Sequence, residues 1–160
     1  MKITVVSDTH NNFDILYDIV RKNLDSDLFI HLGDGEREFE DVRSAFSDKA
    51  FVYVKGNCDY GDWPLFSRLS LGGHEFYICH GNRFPRSELA GYLYATAQTN
   101  GCDIALFGHT HVPYDKTVNT VRLFNPGSPS LPRGMSAPSY GIITISEDGR
   151  LTAEHKNTDV

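Results

Sequence analysis

The chain has 160 residues, of which 40% are hydrophobic and 22% charged, with a formal net charge of −6. This size and balance fit one soluble domain, residues 1–160, with a core large enough to need neither a disulfide nor a structural metal. The acidic total argues against binding long nucleic acid through its phosphate backbone, which selects basic surfaces.

Lys2 to Val6 reads as a buried strand, β-branched and apolar on both faces, and the polar break Ser7-Asp8-Thr9-His10-Asn11-Asn12 follows it. Phe13, Leu16, Tyr17, Val20 and Leu24 recur at helical spacing behind a cap at Asn11 or Asn12. Leu28 to Leu32 is a second strand, ending in Gly33-Asp34-Gly35. Glu36 to Phe46 reads as a loop and helix. Phe51 to Val54 is a third strand, ending in Gly56-Asn57-Cys58-Asp59. Strand, helix, strand, helix, strand implies parallel strands with crossover helices, whose ligands gather at the carboxyl ends of the strands.

Leu65 to Leu71 and Glu75 to Cys79 flank Gly72-Gly73 as a hairpin, and the second strand runs into His80-Gly81. Ser87 reads as the cap of a helix carrying Ala90, Leu93, Tyr94 and Ala97. Ile104 to Phe107 is a short strand that ends in Gly108-His109-Thr110-His111. Thr117 to Phe124 reads as one strand leading into Asn125-Pro126-Gly127-Ser128. Tyr140 to Ser146 turns at Asp148-Gly149 into Leu151 to Glu154. The expected architecture is α/β, with two sheets packed face to face and helices outside.

Five strand ends thus deliver Asp8, His10, Asp34, Asn57, His80, His109 and His111 to one edge. All seven can bind a divalent cation through oxygen or neutral imidazole, and none is Cys, which argues against a soft thiolate site. Seven ligands are too many for one tetrahedral ion and suit two ions sharing a carboxylate. Two such ions activate water near neutral pH and neutralise the oxygens of a phosphate ester. Taken singly, each piece has a plainer reading: Gly33-Asp34-Gly35 and Gly56-Asn57 are common turns, and His80 is a buried histidine bonded to backbone. Their joint occurrence after five apolar strands favours the metal centre. His31, His74 and His155 take the plain structural reading, and Trp63 and Phe66 that of ordinary packing.

The three cysteines, Cys58, Cys79 and Cys102, form no CxxC, which favours a reducing compartment. The N-terminal apolar run is too short for a secretory signal, and no run approaches a membrane span of ~20 residues. The cytoplasm is the expected location, with no membrane partner.

The pattern D-x-H, GD, GN, H after a strand and GHxH, standing here as Asp8-Thr9-His10, Gly33-Asp34, Gly56-Asn57, His80 and Gly108-His109-Thr110-His111, resembles the calcineurin-like metallophosphoesterase superfamily. The GNCD form and the Asn125-Pro126-Gly127-Ser128 loop are similar to its small single-domain YfcE-type phosphodiesterases. The resemblance implies a four-layer α/β/β/α sandwich with two mixed sheets. It implies two metal ions per chain, manganese first, with iron, nickel or zinc as alternatives. Asp8, His10 and His111 would bind one, Asn57, His80 and His109 the other, and Asp34 would bridge. The nucleophile would be a metal-bridging hydroxide, which makes Asp34 and Asn57 catalytic through the ions they hold.

Many members carry His where Cys58 stands, and a thiol is a weak donor. Cys58, Asp59 and Arg83, with Arg86 nearby, are therefore the candidate substrate contacts. The expected substrate is a small phosphate ester, with a phosphodiester ahead of a monoester or a nucleotide pyrophosphate. Relatives are often dimers or tetramers, so a homo-oligomer is a further expectation. A scaffold that kept the fold and lost catalysis is the competing class. It predicts inert residues at the ligand positions, whereas all seven here can ligate.

Overall fold

The computed structural model describes residues 1–158. In chain order its elements are β1 (Lys2–Val6), α1 (Phe13–Lys22), β2 (Leu28–His31), α2 (Glu36–Ala45), β3 (Phe51–Tyr53), β4 (Phe66–Leu71), β5 (His74–Cys79), α3 (Leu89–Thr99), β6 (Ile104–Leu106), β7 (Tyr114–Val118), β8 (Val121–Asn125), β9 (Ser139–Ile145) and β10 (Leu151–Asn157). A 3₁₀ turn, Arg86–Glu88, leads into α3.

One sheet runs β10-β9-β1-β2-β3 and the other β4-β5-β6-β8-β7. Both are mixed. β1, β2 and β3 are parallel, with β9 and β10 antiparallel beyond them. β5, β6 and β8 are parallel, flanked by antiparallel β4 and β7. Period-two alternation sorts the side chains into layers. Ile3, Val5, Ile30 and Leu32 from the first sheet meet Phe76, Ile78, Leu106 and Phe124 from the second in the central core. Val6, Phe29 and Ile142 turn outward to pack under α1 and α2, through Leu16, Val20, Phe39 and Val42. Tyr77, Ala105 and Leu123 do the same under α3, through Leu93 and Ala97. The result is the four-layer α/β/β/α sandwich expected. Each fully buried Val, Leu, Ile or Phe contributes ~1.5–3 kcal/mol to holding it.

Helix α1 starts where expected, with the Asn12 side chain accepting the Ile15 N–H. Two local readings are corrected. Ser87 does not cap α3, because it lies inside the 3₁₀ turn and the helix begins at Leu89 without a side-chain cap. Thr117 to Phe124 is not one strand but most of a hairpin: β7 reverses at Asn119, which takes a left-handed φ of 52°, and β8 returns. The segment from Pro126 to Pro138 between β8 and β9 is irregular, as expected. Among the described residues, no helix is long and apolar enough to cross a membrane.

Candidate metal centre

Every loop that carries a candidate ligand leaves the carboxyl end of a parallel strand, so the two sheets bring their polar residues to one rim. The loops bend there by an uncommon device. Asp8, His10, Asp34, His109 and His111 all have left-handed backbone, with φ between 46° and 65°. Only Gly, Asn and Asp visit that region readily, and other residues there carry strain that the surrounding fold must hold. Small neighbours make the bends possible. A Cβ on Gly108 would stand 1.9 Å from Ser7 Oγ, and one on Gly56 would stand 2.0 Å from Asp34 Oδ1.

The structure brings Asp8, His10, Asp34, His80 and His111 into one ring. His111 Nε2 lies 3.2 Å from Asp8 Oδ1 and 3.2 Å from His10 Nε2. His80 Nε2 lies 3.4 Å from Asp34 Oδ2 and 3.8 Å from Asp8 Oδ1. His10 Nε2 is 3.9 Å from Asp34 Oδ2. His80 Nδ1 donates to Leu32 O at 2.6 Å and His111 Nδ1 to Leu131 O at 2.7 Å. A carbonyl only accepts, so in the neutral rings both protons sit on Nδ1 and each Nε2 presents a lone pair inward. Asp8 Oδ2 is occupied by Ser7 Oγ and the His109 N–H, while Asp8 Oδ1 and His80 Nε2 are buried with no hydrogen-bond partner among the described residues. Orphaned buried polar atoms are costly. Two of them facing each other among three further donors fit a bound cation, and the nitrogen and oxygen donor set suits a divalent first-row ion.

His109 is half-buried with its ring 5.3 Å from that of His80. Asn57 is exposed beside the ring, its Nδ2 donating to Cys58 Sγ at 3.4 Å. These two border the five-residue ring rather than closing it.

The electrostatics follow from the ring. Burial opposes the Asp8 anion, yet His111, His80 and Ser7 hold its carboxyl below the ordinary carboxylate range. Burial likewise opposes the Asp34 anion, but His80 and the Cys58 N–H depress its carboxyl strongly. For His80, burial disfavours the imidazolium, and Asp34 and Asp8 outweigh it and raise the ring above its usual value. For His109, burial and the neighbouring His80 and Arg86 lower it.

Asp59 borders the cleft beside the ring, but its oxygens are taken up by the protein itself. Its two oxygens accept the N–H groups of Asp34, Gly35, Glu36 and Gly56 and the Tyr53 hydroxyl. It ties the loop after β2 to the loop after β3. Burial and Asp59 together push the Tyr53 phenol far up, so it remains a donor. Arg83 lines a separate hollow with Leu65, Phe66, Tyr77 and Phe84. Arg86 sits closer, with Nη2 3.4 Å from His109 O. His31 takes the interior role expected. It accepts the Gly33 N–H at Nδ1 and shares Thr9 Oγ1 through Nε2. His74 pairs with Asp103, and His155 bonds Asn125 O and stacks on Phe124. Trp63 packs on Tyr53 and Phe39.

Sequence reading missed several supports. Glu38 on α2 accepts from Thr9 Oγ1 and the Asn11 N–H, pinning the D-x-H loop. Ser128 donates to Asp8 O, and Asn125 donates to Gly108 O. Arg37 also escaped notice. It lines an open cleft of about 330 Å³ beside the ring with His10, Asp34, Cys58 and Tyr60. Its position three residues after Asp34 at a helix start was the available signal.

A family model described as the calcineurin-like phosphoesterase superfamily domain matches residues 1–148. The chain belongs to the calcineurin-like phosphoesterase superfamily. It is 31% identical over 150 residues to the probable metallophosphoesterase YsnB of Bacillus subtilis, covering 92% of this chain and 86% of that one. It is 29% identical over 101 residues to the phosphodiesterase YfcE of Escherichia coli, covering 58% of this chain and 51% of that one. A crystal structure of a predicted phosphoesterase from Streptococcus pneumoniae superposes with a TM-score of 0.79 at 25% identity, over 98% of this chain and 97% of that one. As a calcineurin-like phosphoesterase, the chain is a metal-dependent phosphoric ester hydrolase by family.

Proposed function

We propose that this chain is a phosphodiesterase whose centre holds two divalent cations. The observation that carries the reading is the facing pair of buried, unpartnered atoms, Asp8 Oδ1 and His80 Nε2, with His10, His111 and Asp34 around them. Asp8, His10 and His111 could hold one ion, and Asp8, Asp34 and His80 another. In this reading His109 and Asn57 complete the second set, and Asp34 serves both. Manganese is the first expectation, with iron, nickel or zinc able to occupy the same donors. Such ions, when bound, supply an activated water and neutralise the phosphate oxygens.

The chain's own residues do the rest. Leu32 O and Leu131 O fix the His80 and His111 rings so that their lone pairs aim inward. The Cys58 N–H holds Asp34 Oδ1 at 2.7 Å, leaving Oδ2 for the centre. Arg37, which has no ion-pair partner among the described residues, faces the cleft and is the cation for a non-bridging phosphate oxygen. The open cleft leaves room for a substituent on each side of the phosphorus, as a diester requires, and gives loose discrimination of the leaving group.

The test is hydrolysis of bis-nitrophenyl phosphate and nitrophenyl phosphate by metal-stripped protein, with and without manganese. Turnover that requires metal and favours the diester is expected. Metal-dependent turnover favouring the monoester would replace the diester assignment. Two bound ions per chain with no turnover of either ester would overturn the enzymatic reading.

A further inference from the structure

None of the seven motif ligands is Cys, yet the fold sets one beside them. The loop after β3 carries Cys58 back to the ring, where its Sγ, a nitrogen of His10 and an oxygen of Asp34 all lie within 4.8 Å of one another. Two hydrogen bonds hold the thiol there: the Cys58 N–H to Asp34 Oδ1 at 2.7 Å, and Asn57 Nδ2 to Cys58 Sγ at 3.4 Å. Cys58 is exposed at the mouth, whereas Cys79 and Cys102 are buried in the layer under α3.

We propose that Cys58, His10 and Asp34 form a thiolate-bearing ligand set that takes a soft divalent cation, zinc or cadmium, in preference to manganese. The inference rests on the reading of this rim as a metal centre. A set of Cys, His and carboxylate with one side open to solvent is the donor pattern of a tetrahedral zinc site with a free position. Thiolate shifts preference toward softer ions, while the carboxylate and imidazoles alone accept manganese. Binding breaks the Cys58 S–H bond, releases the proton to solvent and forms a sulfur–metal bond, with no electron transferred. Such metal binding is coupled to loss of the thiol proton, so it should strengthen as pH rises. Since His10 and Asp34 also belong to the ring, a soft ion held here competes with the ions proposed for catalysis.

The experiment titrates metal-stripped full-length protein with cadmium and follows the ultraviolet thiolate-to-metal charge-transfer band. Manganese binding is measured in parallel by its paramagnetic signal. The wild type is expected to develop a saturable band that Cys58→Ser abolishes, with cadmium affinity falling at least ~10-fold in the variant. Cadmium binding without a band, or a band that persists in Cys58→Ser with Cys79 and Cys102 intact, would overturn the proposal. Manganese binding without a Cys58-dependent band sinks this inference alone. Binding of neither ion sinks the metal-centre reading with it.

Discussion

A carboxylate that accepts four backbone N–H groups and a phenol has no oxygen left for a substrate. Asp59 is that residue, and every one of those partners is a donor. Asp59→Asn keeps the shape but replaces an acceptor with an N–H₂ facing other donors. It should destabilise the protein by ~3 kcal/mol, measured by urea unfolding, since a charged acceptor lost from a buried network costs at least that much. Its effect on metal affinity should be ~10–100-fold, the range for residues that orient ligands. Asp34→Asn is a different kind of loss. It removes charge from the group proposed to serve both cations, so kcat against bis-nitrophenyl phosphate should fall by more than that ~100-fold range. Near-normal turnover in Asp34→Asn would refute the shared role. The Asp34 candidacy was visible in a Gly-Asp-Gly turn after an apolar strand. The role of Asp59 was not, because its partners lie 3 to 25 residues away and only the folded loops bring their N–H groups together.

At the scale of elements, the strands that feed the site were the most legible part of the chain. Each is a buried run that stops at a polar break, and burial on both faces makes that run continuous. The β7–β8 hairpin was not legible. β7 is exposed over Asp115, Lys116 and Thr117, so it lacks the apolar alternation that marks a strand. Its turn at Asn119-Thr120 also lacks the glycine that flags a hairpin. The loop between β8 and β9 read as irregular, yet it supports the centre: Ser128 Oγ donates to Asp8 O and receives the N–H groups of Ser130 and Leu131. Leu131 O in turn orients His111. Ser128→Ala should therefore cost ~1–2 kcal/mol in unfolding free energy, the value of a buried hydrogen-bonded group left unpaired. It should also weaken metal binding, read by titration of the stripped protein. An unchanged affinity would show that the loop holds His111 without Ser128.

Over the whole molecule, acid should act through His31. Burial holds its folded value at about 4, below the ~6.5 of an unfolded imidazole. Between those limits the unfolded chain binds the proton and the folded chain does not. The His31 contribution to stability should thus be intact above ~6.5 and be lost as pH falls toward 4. His31→Gln should flatten that part of the profile in melting temperature against pH, whatever its effect at neutral pH. Chelation tests the same frame from the other side. Saturation with an ion at 100 times its dissociation constant stabilises by ~2.7 kcal/mol, so a chelator should lower the melting temperature of the loaded protein. The pairing of β1 with β9, which places Ile3 against Ile143, lay beyond sequence reading because nothing local specifies partners so far apart.

The left-handed bends under Asp8, His10, Asp34, His109 and His111 also bear on inheritance. A descendant of this gene released from its chemistry would lose selection on the side chains before it lost selection on the bends, because the bends lead each strand into the next element. Vacated ligand positions should then fill with Gly, Asn or Asp rather than Val or Ile, which resist positive φ. Decay of the centre would leave a record in the sequence, written in residues chosen by the backbone.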